Sequence, residues 1–390
     1  MIDWARHGKM KGLDILGIFK RNGITYFTGV PDSTFAGFIN ELYSAEGITH
    51  RISVNECEAT FLAGAYNVST GNYGVVYMQN AGLGKAVNPI TSYLIPYKIP
   101  VLLLIGWRGE PGEEDESQHI YMGDITLRLL GLLGISYDIL SDNLIVLESQ
   151  IIYAKKYMEL NKKPYALVIR KNNNIEGKKL SSMDEFLGNE KKGKILREDV
   201  VKAVIHNMNP KDIIVSTTGK VSRELYEFRE ERKEGHGKDF LNVGGMGGAL
   251  AQAIEIALQY PDRKVFCIDG DGAALMQLGT MTTAGHYHPK NLIHIIIENG
   301  CYQSTGNQPS RSESMHFGSI AVTCGYKKSG TAFFYKQFYE YLEEFKKEEG
   351  PCLIVAHCSK ACRNNLGRPT TTPLQNKDAF MKNLGVTDIL

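Results

Sequence analysis

The chain has 390 residues, 44 Lys and Arg against 43 Asp and Glu, a formal net charge of +1 and 43% hydrophobic residues. That length admits two or three domains, and the balanced charge gives no footing for nucleic acid or an anionic membrane surface. Met1–His7 is too polar for a signal peptide, the apolar run Val101–Ile105 is far short of the roughly 20 residues of a membrane span, and seven scattered cysteines show no disulfide pattern, so a cytoplasmic protein is expected.

Residues 9–22 read as an amphipathic helix ending at Asn22-Gly23. Ile24–Phe27 reads as a short strand, and in Gly29-Val30-Pro31-Asp32-Ser33 the Asp and Ser can cap a helix from Thr34 to about Ser44. His50–Val54 is the next strand, and Asn55-Glu56-Cys57-Glu58-Ala59 opens an Ala/Gly-rich helix running to Thr70. A glutamate in a first helical turn is favoured by the helix dipole with no other task, and Glu58 fits that account as well as Glu56 does. Gly74–Met78 is a strand ending in Gln79–Gly84, a loop where backbone must come close to something. Val101–Ile105 is a fourth parallel strand, and it runs into the polar, glycine-rich stretch Gly106–His119, a candidate active-site loop. Pro164–Arg170 reads as a closing strand.

Residues 171–194 are rich in Asn, Lys, Gly and Glu and read as a linker. A second α/β pattern starts with helix Arg197–Asn207 and strand Ile213–Ser216, then Thr217-Thr218-Gly219-Lys220 and a helix from about Ser222. Hydroxyls, amides and charge at a strand-to-helix turn suit a phosphate, and the missing upstream glycine argues against a P-loop. Asn242–Ala249 sets four glycines around Met246 ahead of an Ala-rich helix, Leu250–Gln259. The apolar run Val265–Ile268 stops at Asp269-Gly270-Asp271-Gly272; a helix is expected from Ala273 to about Gly285, and a second apolar run, Leu292–Ile297, stops at Glu298-Asn299-Gly300. A parallel βαβ unit brings both strand ends to one sheet edge, so Asp271 and Asn299 can meet in the crevice beyond it. A carboxylate, an amide oxygen and a nearby backbone carbonyl are hard ligands that suit Mg²⁺, while Gly270 and Gly272 allow close approach of a diphosphate. Gly-Asp-Gly alone is an ordinary turn; the Asn closing the next strand makes the pattern specific. A polar loop follows at Tyr302–Gln308, the last strand is Cys352–Ala356, and Arg363–Pro373 is a non-periodic tail. His357, Cys358 and Cys362 lack a second ligand pair, so no zinc site is expected there. No sequence repeat is visible, yet two α/β domains of similar size each carry a glycine-rich edge.

These motifs resemble those of the thiamine diphosphate-dependent 2-oxoacid decarboxylases, over nearly the full chain. The resemblance implies an α/β fold of two parallel-sheet domains with helices on both faces: a pyrimidine-binding domain over residues 1–178, a linker over 179–196, and a diphosphate- and Mg²⁺-binding domain over 197–390. Asp271, the Asn299 side chain and the Cys301 carbonyl would hold Mg²⁺; the family's Asn pair is here Glu298-Asn299, and the usual ligand is the second member. Glu56 matches the cofactor-activating glutamate, hydrogen-bonded to N1′ of the aminopyrimidine so that the imino tautomer can deprotonate thiazolium C2. Gly244 would accept from the 4′-amino group and Met246 would wedge the cofactor into its bent form. Thr217, Thr218, Gly272 and Ala273 are candidate diphosphate contacts.

The implied reaction is non-oxidative loss of CO₂ from a small 2-oxoacid through a cofactor ylide and an enamine. Gly29–Ser33, Gly106–His119, Ser216–Leu225 and Gly367–Pro373 most resemble the members that turn 3-phosphonopyruvate into phosphonoacetaldehyde in phosphonate biosynthesis. Ser33 would sit near the substrate carboxylate. His119 is a candidate proton shuttle, or else a loop histidine hydrogen-bonded at the surface. A phosphonate needs cations, and Arg108, Lys220, Arg223, Arg363 and Arg368 are the candidates. The family's cofactor spans two chains, so at least a homodimer is implied. The main alternative keeps the cofactor and changes the reaction: a sulfopyruvate or other small 2-oxoacid decarboxylase, or an acyloin-forming carboligase. A non-catalytic subunit would be expected to lack Glu56 or Asp271, and both are present. A dinucleotide-dependent dehydrogenase would need a G-x-G-x-x-G that Gly29–Ser33 does not supply.

Overall fold

The computed structural model describes residues 10–173, 175–178, 195–363 and 365–386. The chain divides into two units, Met1–Leu180 and Ser181–Leu390.

In the first unit the elements are α1 (Gly12–Arg21), β1 (Tyr26–Gly29), α2 (Ala36–Leu42), β2 (Thr49–Ile52), α3 (Glu56–Thr70), β3 (Gly74–Gln79), α4 (Leu83–Pro89), β4 (Val101–Trp107), α5 (Ser117–Leu132), β5 (Ser136–Ile139), α6 (Leu144–Asn161) and β6 (Tyr165–Arg170). The strands form one six-stranded parallel sheet in the order β2-β1-β3-β4-β6-β5. Its central strands are unbroken apolar runs because both faces are covered. Val75, Tyr77, Leu102 and Leu104 join a core with α1, α2 and α6; the alternate residues Val76, Met78, Leu103 and Ile105 join another with α3, α4 and α5.

The second unit contains α7 (Arg197–Asn207), β7 (Ile213–Ser216), α8 (Lys220–Arg232), β8 (Asp239–Leu241), α9 (Ala249–Gln259), β9 (Val265–Gly270), α10 (Asp271–Met276), α11 (Thr280–Tyr287), β10 (Leu292–Glu298), β11 (Cys301–Tyr302), β12 (Gln308–Pro309), α12 (Phe317–Thr323), β13 (Lys328–Ala332), α13 (Tyr335–Phe345), β14 (Cys352–His357) and α14 (Pro373–Asn383). Its six-stranded sheet, also parallel, runs β13-β14-β10-β9-β7-β8, and β11 and β12 form a small antiparallel pair. Read from its β8 edge, this sheet repeats the moves of the first strand for strand. The duplication expected from the two glycine-rich edges is therefore present in the topology.

Several expectations need correction. The helix expected over Ala273–Gly285 is two helices, α10 and α11, separated at Gln277-Leu278-Gly279. His119 lies in the first turn of α5, not on a loop, because α5 starts at Ser117. The tail Arg363–Pro373 gives way to a helix at its last residue, where Thr372 caps α14 by accepting from Gln375 N. Of the stretch 171–194 read as a linker from its composition, the first part is tied to the first unit: Glu176 exchanges backbone hydrogen bonds with Met10 and Gly12, and Lys178 N donates to Glu41. Residues 179–194 of that stretch lie outside the described residues.

Candidate active site

In both sheets the residues singled out by sequence follow the C-terminal ends of strands, where open parallel sheets bind ligands. After β2, Asn55 caps α3 by accepting from Glu58 N at 2.9 Å, and Glu58 Oε2 accepts from Val54 N at 2.7 Å. That separates the two glutamates: Glu58 serves the helix start and Glu56 does not. Glu56 is 6% exposed and its Oε2 has no hydrogen-bond partner among the described residues. Burial raises its carboxyl pKa, and the charge of Lys85 opposes the rise. The carboxyl rests against Gly82, where a β-carbon would stand 2.3 Å from Oε1. The loop Gln79–Gly84 comes close to this side chain, which is the approach its glycines allow.

After β1, the cap is Asp32 and not Ser33. Asp32 Oδ1 accepts from Thr34 N at 3.3 Å and from Gln79 Nε2 at 3.1 Å. Asp32 Oδ2 is buried without a partner, and burial raises this pKa as well. Composition and pattern gave Asp32 only a capping role; the unsatisfied oxygen adds a second acidic group to this edge. Ser33 is exposed, and Arg108 Nη1 donates to its hydroxyl at 3.4 Å. The rest of the Arg108 fork is used: Nε and Nη2 donate to both oxygens of Asp115, the first at 2.7 Å. Burial would raise the Asp115 pKa, but the Arg108 guanidinium outweighs it and holds the carboxyl at about 2. His119 is held neutral by burial and by the positive Arg108, with its pKa lowered to about 4.

The second unit gathers the cation and diphosphate candidates. Asp271 starts α10 directly after β9 and is 3% exposed. Its Oδ2 accepts from Gly300 N at 2.7 Å, Ser310 Oγ at 2.9 Å and Ser312 Oγ at 2.7 Å. Among the described residues its Oδ1 accepts only from Gly272 N, at 2.7 Å, which leaves a lone pair for a cation. Asn299 follows β10, Asn299 Oδ1 accepts from Cys301 N at 3.1 Å, and Cys301 opens β11. A carboxylate, an amide oxygen and a backbone carbonyl form a hard donor set that fits Mg²⁺. At Gly272 the close approach is to Tyr302, whose ring a β-carbon would meet at 2.4 Å; at Gly270 a β-carbon would meet nothing within 4 Å. The glycine signal at Gly272 was thus partly a packing signal.

Thr217 and Thr218 leave β7, Gly219 takes φ +96°, and α8 begins at Lys220. Ser222 Oγ ties this turn down by donating to the Thr217 carbonyl at 2.7 Å. Gly244 and Met246 lie in the turn between β8 and α9, where Gly245 and Gly247 take positive φ. Ala273, 2% exposed, is in the first turn of α10. Glu298, in place of the family's first Asn, is buried beside His357, whose Nδ1 stands 3.1 Å from Oε2. Burial first, and then the charge of Asp271, push the Glu298 carboxyl up to about 7.

Among the anion candidates the structure discriminates. Arg363 is spent on Glu198 (3.0 Å) and Glu227 (2.7 Å), and Lys220 Nζ contacts Cys362 Sγ at 3.2 Å. Arg368 is exposed ahead of α14. Arg223 makes no ion pair among the described residues and is half-buried in the first turn of α8.

Residues 12–126 match the family described as thiamine pyrophosphate enzyme, N-terminal TPP binding domain, and residues 217–356 match the corresponding C-terminal TPP binding domain. The chain belongs to the thiamine pyrophosphate enzymes. Within that family it is 31% identical over 373 residues to a phosphonopyruvate decarboxylase of Streptomyces hygroscopicus, covering 92% of this chain and 90% of the relative. A phosphonopyruvate decarboxylase of Streptomyces viridochromogenes is 31% identical over 362 residues, covering 90% and 89%. A sulfopyruvate decarboxylase of Methanosarcina acetivorans is 27% identical over 312 residues, covering 75% and 77%. The thiamine pyrophosphate family accounts for both glycine-rich edges, and the unpartnered Glu56 oxygen fits a cofactor that offers a ring nitrogen.

Proposed function

We propose that this chain decarboxylates 3-phosphonopyruvate to phosphonoacetaldehyde and CO₂, using thiamine diphosphate and Mg²⁺, in phosphonate biosynthesis. What carries the substrate is the match to phosphonopyruvate decarboxylases along nine-tenths of both chains. The sulfopyruvate reading rests on a shorter match at lower identity.

Thiamine diphosphate supplies the carbanion chemistry when bound. Asp271 Oδ1, Asn299 and the Cys301 carbonyl hold the cation, and Thr217, Thr218, Gly272 and Ala273 take the diphosphate. Gly244 would offer a carbonyl to the 4′-amino group, and Met246 would supply apolar support for the cofactor. Glu56 hydrogen-bonds N1′ and trades a proton with it, a role that its unpartnered Oε2 supports. Ser33 and Arg108 Nη1 present a hydroxyl and a cationic donor to the substrate carboxylate. Arg223 is the cation best suited to the phosphonate, because it is half-buried and makes no ion pair among the described residues, whereas Arg363 is already paired. A proton would be needed at the carbon that loses CO₂, and His119 and Asp32 are the candidates to move it. His119 is neutral at physiological pH, and Asp32 has a raised pKa and a spare oxygen. The working unit is at least a homodimer in the cytoplasm. Among the described residues no helix is long and apolar enough to cross a membrane.

The test is release of CO₂ and aldehyde from phosphonopyruvate, sulfopyruvate and pyruvate, each with and without thiamine diphosphate and Mg²⁺, beside a Glu56→Gln variant. Cofactor-dependent turnover favouring phosphonopyruvate and lost in the variant is expected. Preference for another acid would keep the chemistry and overturn the substrate.

A further inference from the structure

None of the cofactor motifs uses Lys85. It lies in the first turn of α4, one i, i+3 step beyond Gly82, and such positions share a helix face. Gly82 is the residue against which the Glu56 carboxyl rests. The Lys85 ammonium is shielded from solvent and has no hydrogen-bond partner among the described residues, and the same holds for Glu56 Oε2. The two groups are therefore not bonded to each other, and a buried charge without a partner is costly unless an opposite charge stands close by. Each acts on the other through space: burial lowers the Lys85 pKa while Glu56 and then Cys57 draw it back up, and Lys85 restrains the rise of Glu56. The elements packed most closely on α3 are β1, β3, β4, α4 and the turn at Ile90–Leu94. They bring the phenols of Tyr26, Tyr77 and Tyr93 and one cation, Lys85. On α3 itself Glu58 is occupied by Val54 N.

We propose that Lys85 is a positioning residue for the activating carboxyl: its ammonium stabilises the Glu56 carboxylate, so the carboxyl passes its proton to N1′ of the aminopyrimidine more readily than burial alone permits. The O–H bond of Glu56 breaks, an N–H bond forms at N1′, and the carboxylate left behind faces a cation in place of an apolar wall. The inference rests on the assignment of Glu56 in the proposed function.

The experiment is calorimetric titration of the full chain with thiamine diphosphate and Mg²⁺, in buffers of different ionisation enthalpy, from pH 5 to 9. Binding takes up a proton only where the free Glu56 is ionised, so uptake sets in as pH rises through its free-protein pKa. Removing a nearby cation raises that pKa, so the onset in Lys85→Met should move to higher pH by about one unit, a tenfold change. Lys85→Arg should stay within a few tenths of the parent, and Glu56→Gln should abolish the step. The reciprocal effect needs no Lys85 variant: in the cofactor-free protein, Glu56→Gln should increase acylation of Lys85 at neutral pH severalfold. An unmoved onset in Lys85→Met together with unchanged acylation overturns the proposal. So does a Lys85→Met variant that loses self-association while its onset stays put, which would make Lys85 an assembly contact. If the parent chain binds no thiamine diphosphate, the proposed function itself fails, a result distinct from either.

Discussion

His357 Nδ1 stands 3.1 Å from Glu298 Oε2, and its imidazole stacks on Phe333 with ring centres 4.4 Å apart. An acid in place of the family's first Asn is thus answered by a partner on the neighbouring strand, since Glu298 and His357 are register partners across β10 and β14. His357→Ala leaves a buried carboxyl without its partner and should destabilise the chain by about 1–3 kcal/mol. Glu298→Asn combined with His357→Ala should recover most of that loss. Urea unfolding of the two single variants and the double variant gives the coupling, and additive losses would refute it.

Gly82→Ala tests the support of Glu56. The backbone of Gly82 is in an ordinary right-handed conformation, so alanine strains nothing there except the Glu56 carboxyl. Affinity for thiamine diphosphate should fall by about tenfold or more, because small misplacements of a reacting group are expensive. The unfolding midpoint should change little. Fluorescence titration with the cofactor checks the first expectation and thermal melts the second.

Ser312 donates to Asp271 Oδ2 at 2.7 Å and so orients the carboxylate proposed to hold the cation. Ser312→Ala should weaken Mg²⁺ binding by about tenfold, as for other groups that support a metal ligand, and Asp271→Asn should weaken it more. Competition between Mg²⁺ and Mn²⁺, followed by electron paramagnetic resonance, measures both. Equal affinities in the parent and Ser312→Ala would remove Ser312 from the site.

His50 donates to or accepts from Tyr77 Oη at 2.7 Å, and burial lowers its pKa to about 4. In the unfolded chain the imidazole titrates near 6.5, so between these values the unfolded state binds more protons. The neutral histidine's stabilising contribution is complete above about pH 6.5 and is lost as pH falls toward 4. His50→Gln should therefore narrow the stability difference between pH 7 and pH 5. Urea midpoints at the two pH values decide it; an unchanged difference would contradict the assignment.

Arg229 pairs with Asp239 through two contacts of 2.8 Å, with side chains 2% and 0% exposed. Asp239→Ala leaves the buried Arg229 guanidinium with Glu234 alone, at 2.6 Å, and should cost about 3 kcal/mol. Because the pair ties α8 to β8, the loss should appear as a lower unfolding midpoint of the whole transition.

Much of this architecture was legible before any coordinates. The strands of both sheet centres read directly, because burial on two faces leaves continuous apolar runs such as Val101–Ile105 and Leu292–Ile297. In the two six-stranded sheets the strands without a sequence signal are β5, β8 and β13, all at sheet edges, and the short pair β11 and β12 lies where a polar loop was expected. Ser136–Ile139 is only half-buried along its length, and Lys328–Ala332 contains Lys, Ser, Gly and Thr, so neither displays an apolar run. The acid at Glu56 was legible as a motif, but its distinction from Glu58 needed the hydrogen bond from Val54 N. Arg108 and Arg363 illustrate a limit of composition: a guanidinium's charge is visible in sequence, whereas the carboxylate that consumes it is not. Lys85 carried no signal at all, since its significance lies in a partner it lacks.

The two sheets share one order of strands, and each closes its own interior: the cores around Val75 and Val76 belong to the first unit and the core around Ile295 to the second. Each of these clusters is built from residues of one unit, so the effects on folding of substitutions in clusters of different units should add. For heredity this is a licence to wander. The packing of one half of the gene can drift or be refined without waiting for compensating changes in the packing of the other.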